Sequence, residues 1–139
     1  MRLVHTGWVD VYASRQLQIR VNDLLQRAKA GDERAEVTSR LLALEIAILR
    51  RLGGEPADET PDLKQVRQSG RYPVWRVSHP YREGYAVRTI VWFTPQGQAV
   101  LALFATDKAQ MGDLFYGTVG ERADQIIDEW LRERPEGTS

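Results

Sequence analysis

Between residues 15 and 52 apolar side chains recur every three or four positions, whereas between 74 and 106 they alternate or run unbroken. The first spacing is that of helices and the second that of strands. Leu17, Val21, Leu24, Leu25 and Ala28 fall on one helical face, with Ser14 as N-cap and Gly31 as terminator. Asp32 caps a second helix, in which Val37, Leu41, Leu44, Ile48 and Leu52 form one stripe and Leu42, Ile46 and Leu49 another. A helix apolar over so much of its circumference needs two apolar partners. The second stripe is therefore expected to be covered by a partner protein or by a second copy of the chain. Upstream, Trp8-Val9-Asp10-Val11-Tyr12 predicts a strand over residues 4–13.

A loop rich in Gly, Pro and acidic residues, 53–62, ends the helical half. Three strand-like segments follow, 74–78, 86–93 and 99–106, separated by turn signals at 79–84 and 94–97. The third, AVLALFAT, is apolar at nearly every position, as a central strand covered on both faces should be; the second alternates enough to have a core side and a partly wet side. Val119, Ala123, Ile126, Ile127 and Trp130 then mark a last helix over 117–133. The predicted order is β-α-α-β-β-β-α. This is a single α+β domain over 1–139, a small, mainly antiparallel sheet packed by two N-terminal helices.

Charge changes this picture only when read locally. Nineteen basic and nineteen acidic residues cancel, yet residues 64–106 hold six cations (Lys64, Arg67, Arg71, Arg76, Arg82, Arg88) against Glu83 alone, while 107–139 is acidic. A polyanionic partner is thus expected to meet a patch rather than the whole surface. The absence of Cys excludes disulfides and thiol chemistry, and two distant histidines, His5 and His79, make no metal-ligand cluster, so no metal or cofactor is expected. The most apolar run, 41–49, is broken by Glu45 and falls far short of the roughly 20 residues of a membrane span. A soluble, cytoplasmic protein is the expectation.

Pairing 74–78 with 86–93 so that Val77 lies beside Val87 places Arg76 beside Arg88, with Trp75, Val77, Val87, Thr89, Val91 and Phe93 on the opposite, core-facing side. Like charges facing one another on a sheet are unfavourable. Such a pair calls for an anionic ligand or for carboxylates of the last helix, and both readings stay open. After the central strand, Lys108 can supply charge or a proton and Tyr116 a phenolic donor or a stacking ring; His79 and Arg82 lie at the hairpin tip, and Trp92 shares the face of Arg88.

Trp8-Val9-Asp10-Val11-Tyr12, the helix pair, Leu63-Lys64, Val74-Trp75-Arg76-Val77, Ala86 to Phe93, Ala105-Thr106-Asp107-Lys108, Phe115-Tyr116 and Ala123-Asp124 together resemble the RelE/ParE superfamily of toxins, closest to HigB-like and phage-derived members. The resemblance implies the toxin half of a type II toxin-antitoxin pair, an endoribonuclease that cuts messenger RNA, commonly on the ribosome. It implies a cognate antitoxin as partner and Arg76, Arg88, Lys108 and Tyr116 as the catalytic set, with Lys64, Arg71, His79, Arg82 and Trp92 contacting substrate. Attack by the RNA's own 2′-OH needs no metal; it needs positioning, charge neutralisation at phosphorus and proton transfer. The family also contains toxins that poison DNA gyrase without catalysis, and a fold that has lost its toxicity is a further alternative.

Overall fold

The computed structural model describes residues 10–78, 82–95, 99–107 and 118–133. Its elements run β1 (Asp10–Ala13), α1 (Arg15–Lys29), α2 (Glu33–Arg50), β2 (Leu63–Gln65), β3 (Trp75–Val77), β4 (Val87–Phe93), β5 (Ala99–Asp107) and α3 (Val119–Glu133). The five strands form one sheet in the order β1-β5-β4-β3-β2. The α+β class holds. The sheet is mixed, because β1 pairs parallel with β5 while the other neighbours are antiparallel. A short edge strand, β2, adds to the predicted order. Three residues starting from a polar loop carry too little periodicity to stand out in sequence.

Both helix starts follow the local chemistry. The Ser14 hydroxyl accepts from the Leu17 N–H at 3.0 Å and the Asp32 carboxylate from the Ala35 N–H at 3.0 Å, each meeting a donor that the first helical turn cannot satisfy internally. Ser14 also ties α1 to the sheet. Its hydroxyl donates to the Leu103 carbonyl at 2.5 Å, and its N–H donates to Ala102 O at 2.9 Å.

Leu103 is where β4 and β5 change register: Ile90 pairs with Phe104 but Val91 pairs with Ala102. The extra residue is a β-bulge. Because of it, Leu101, Leu103 and Phe104 all pack on the α3 side of the sheet, while Val100, Ala102 and Ala105 pack on the α1/α2 side. This explains the unbroken apolar run of AVLALFAT. Strand β5 is indeed covered on both faces.

The α1/α2 side holds Leu17, Leu24, Leu42 and Leu49 against Trp75, Val77, Val91 and Phe93. The α3 side holds Ile90 and Trp92 beneath Ala123, Ile126 and Ile127. One expectation is corrected here. The stripe of Leu42, Ile46 and Leu49 lies within this first core, Leu42 and Leu49 buried and Ile46 packed against them, because α2 meets α1, β1 and β4 at once. The chain covers the stripe itself, and neither a partner nor a second copy is needed for it. The far side of β4 is partly wet as expected: α3 lies over Ile90 and Trp92, while Arg88 is half-buried.

Two glycines let α3 approach this closely. A Cβ at Gly120 would strike the backbone of Gln68 and Gly70, and one at Gly70 would strike the Asp124 carboxylate. The Asp124 carboxylate then accepts from the N–H groups of Arg71 and Tyr72 at 2.8 and 3.2 Å, and Asp128 accepts from the Tyr72 hydroxyl at 2.7 Å.

Candidate nucleic-acid interface

The register of three adjacent strands decides where the cations lie. Lys64 of β2 is the direct partner of Arg76 in β3, and Arg76 is opposite Ile90 in β4. Arg88 lies two residues from Ile90, so it shares that face and is the diagonal neighbour of Arg76 instead of its direct partner. The like-charge juxtaposition expected between Arg76 and Arg88 thus occurs between Lys64 and Arg76. The predicted register is off by two residues, which preserves the face of every side chain and changes only its neighbour. Trp75, Val77, Val87, Thr89 and Val91 are buried as expected.

Lys64, Arg76 and Arg88 therefore form a row across β2, β3 and β4, beyond the end of the α3-covered core. All three are half-buried. Strands lie about 4.8 Å apart, and diagonal neighbours about 7–8 Å. Among the described residues none of the three forms an ion pair. Arg88 donates from Nη1 to the Val87 carbonyl at 3.2 Å, and its Nε–H is buried without an acceptor. Partly desolvated like charges that form no ion pair among the described residues cost free energy unless an anion joins them. Among the described residues, no carboxylate of the last helix pairs with Arg76 or Arg88.

That pairing goes to Arg71. Its guanidinium is held by Asp128 and lies 3.6 Å from Asp124. Hydrogen bonds from Arg71 and Tyr72 pull the Asp128 carboxyl below its ordinary range, and the same carboxylate pushes Arg71 and the Tyr72 phenol upward. Arg71, expected at the substrate, latches α3 to the sheet in this structure. Trp92, expected as a stacking surface, is 5% exposed beneath α3, its ring edge-on to Tyr72 and Trp130. No base reaches a ring buried in this way.

Arg82 is exposed next to Tyr85, whose ring lies 5.8 Å from the Arg82 guanidinium and 4.3 Å from that of Arg34. Arg34 was not among the predicted residues; it sits on α2, and only the fold brings it to the hairpin. His79, Lys108 and Tyr116 lie outside the described residues. Strand β5 ends at Asp107, which pairs with Val87.

At the edge strand the row opens into a groove of about 400 Å³ lined by Lys64, Arg67, Arg76, Gln65, Gln68 and Glu59. The outward backbone groups of Leu63 and the outward N–H of Gln65 in β2 are already occupied. Thr60 exchanges backbone hydrogen bonds with Leu63 at 3.0 and 3.3 Å, and the Glu59 carboxylate accepts from the Gln65 N–H at 2.8 Å. Little of the edge is left for a further strand, and the groove offers mainly side-chain chemistry.

On the other face of β4, opposite the cations, Glu45 is fully buried. One carboxyl oxygen accepts from the Thr89 N–H at 3.1 Å and from the Thr89 hydroxyl at 2.6 Å, while the other has no partner. Burial pushes this carboxyl up to about 8 from 4.5, against the smaller opposing pulls of the Thr89 hydrogen bonds and the Arg88 charge. Sequence reading saw Glu45 only as an interruption of an apolar run.

Among the described residues no cluster of His, Asp and Glu is arranged to hold a metal ion, and no helix is long and apolar enough to cross a membrane. Compared with protein-family models, with curated proteins and with solved structures, the chain matches none.

Proposed function

We propose that the chain is the toxin of a type II toxin-antitoxin pair, a metal-independent endoribonuclease that cuts messenger RNA by attack of the substrate's own 2′-OH. The observation that carries the reading is the row of Lys64, Arg76 and Arg88, three half-buried cations on adjacent strands without a carboxylate partner among the described residues. A ribose-phosphate backbone supplies the missing anions. Guanidinium groups hold phosphate oxygens in a fixed fork and neutralise the charge that builds on them in the pentavalent transition state. Arg88, anchored through Nη1 to the Val87 carbonyl, takes the scissile phosphate; Arg76 and Lys64 take its neighbours. Proton transfer falls to Lys108 and Tyr116, as the family resemblance implies. In the same reading the cognate antitoxin silences the protein by laying an acidic segment over the row.

The test is expression in growing bacteria with mapping of RNA ends. The expected result is cleaved messenger RNA whose upstream fragments end in 2′,3′-cyclic or 3′-phosphate, and loss of both cleavage and growth arrest in Arg88→Ala. Intact transcripts together with DNA breaks and loss of supercoiling would assign the protein to gyrase poisoning instead.

A further inference from the structure

Glu59 is out of place in a groove built to hold a polyanion. It shares the lining with Lys64, Arg67 and Arg76, and a carboxylate there repels phosphate. Yet it forms no ion pair with any of the three, so opposite charges face each other across an open space and do not close it. A space of about 400 Å³ falls within the range of small-molecule sites. Nor is the carboxylate free to swing, because the Gln65 N–H holds one of its oxygens at 2.8 Å. A carboxylate has about four acceptor positions, and one bond leaves the rest directed at whatever enters.

Resting on the RNA-binding reading above, we infer that this groove is a base-reading pocket beside the row, in which Glu59 accepts from the Watson–Crick edge of guanine while Lys64, Arg67 and Arg76 hold the attached phosphates. The chemistry selects the base. A fixed carboxylate accepts two parallel hydrogen bonds only from two adjacent donors, and guanine alone of the four bases offers them, at N1–H and the exocyclic amino group. Cytosine and adenine present a donor beside an acceptor, and uracil a donor between two acceptors; each leaves one carboxylate oxygen facing a lone pair. Unstacked bases of single-stranded RNA are commonly read on this edge. Gln65 and Gln68, also in the lining, supply amides for the remaining base atoms. Glu59 is thus a specificity residue, distinct from the cations that supply affinity.

The experiment is fluorescence anisotropy with the full chain and short 5′-labelled oligouridylates carrying one central guanosine, inosine, adenosine or cytidine. The guanosine oligomer is expected to bind about tenfold tighter than the uridine-only one, the usual scale of a bidentate contact. Inosine, which lacks the amino group, should lose most of that gain. In Glu59→Gln the amide oxygen still caps Gln65, but a donor replaces an acceptor and the negative charge is gone. The preference for guanosine should vanish while the uridine-only oligomer binds more tightly, two opposite shifts that an unfolded variant cannot mimic. A wild-type chain that binds all the oligomers equally, or a Glu59→Gln chain that keeps the preference, overturns the inference and leaves the RNA-binding reading standing. A wild-type chain that binds no RNA overturns both.

Discussion

Replacing the buried carboxyl of Glu45 with an amide changes how stability responds to pH, and the size follows from the site. The folded protein holds this proton up to about pH 8, whereas in the unfolded chain the group returns to its ordinary value of 4.5. Between these limits the folded state binds one proton more than the unfolded state, so stability falls as pH rises, by about 1.4 kcal/mol per unit. The loss begins near pH 4.5 and is complete above about 8, a total of about 5 kcal/mol, and by pH 7 about 3 kcal/mol has gone. Against a typical stability of about 5–15 kcal/mol this is a large share. In Glu45→Gln the amide oxygen still accepts both Thr89 bonds but does not ionise. Urea unfolding followed by tryptophan fluorescence at pH 5, 6, 7, 8 and 9 measures the effect, Trp75 and Trp92 being buried reporters. The measure is the difference between the two proteins, in which contributions from every other group cancel. Wild type and variant should be close at pH 5 and diverge in favour of the variant by about 3–5 kcal/mol at pH 8. Parallel curves across this range would refute the reasoning and mean that Glu45 reaches solvent.

Three further substitutions probe how the elements are joined. Gly120→Ala forces a methyl into the backbone of Gln68 and Gly70 and should destabilise by about 1–3 kcal/mol, seen as a lower thermal midpoint. Ser14→Ala removes both the cap on Leu17 and the donor to the Leu103 bulge carbonyl; about 2 kcal/mol should be lost in urea unfolding. Trp92→Phe should lower stability while leaving RNA affinity within about twofold, because the ring lies under α3 and out of reach of substrate.

The helical half was legible in the sequence because its signals are local: Ser14 and Asp32 cap where they were expected to, and the apolar spacing fixes the inner faces. The faces of β3 and β4 were legible for the same reason, since a period of two survives an error of two residues in pairing. What the sequence left hidden depends on pairing at a distance. Which cation opposes which is set by the register of β2 on β3, and β2 is too short to announce itself. The role of Arg71 depends on Asp124 and Asp128 arriving from more than fifty residues away. Trp92 shares its strand face with Arg88, yet α3 covers one and not the other, a distinction that no local pattern carries. Glu59 drew no notice inside an acidic loop, and its partner is the backbone of an edge strand.

The central claim is that the cations of the row, which form no ion pair among the described residues, and not the basic residues in general, hold the RNA. The salt dependence of single-stranded RNA binding tests it most directly, because each neutralised phosphate contributes about 0.7 to the slope of log affinity against log salt. Lys64→Ala, Arg76→Ala and Arg88→Ala are each expected to reduce the slope by about that amount. Arg71→Ala, whose charge is already taken by Asp124 and Asp128, should leave it unchanged. Equal loss of slope in Arg71→Ala, or an undiminished slope in the three row variants, would contradict the account.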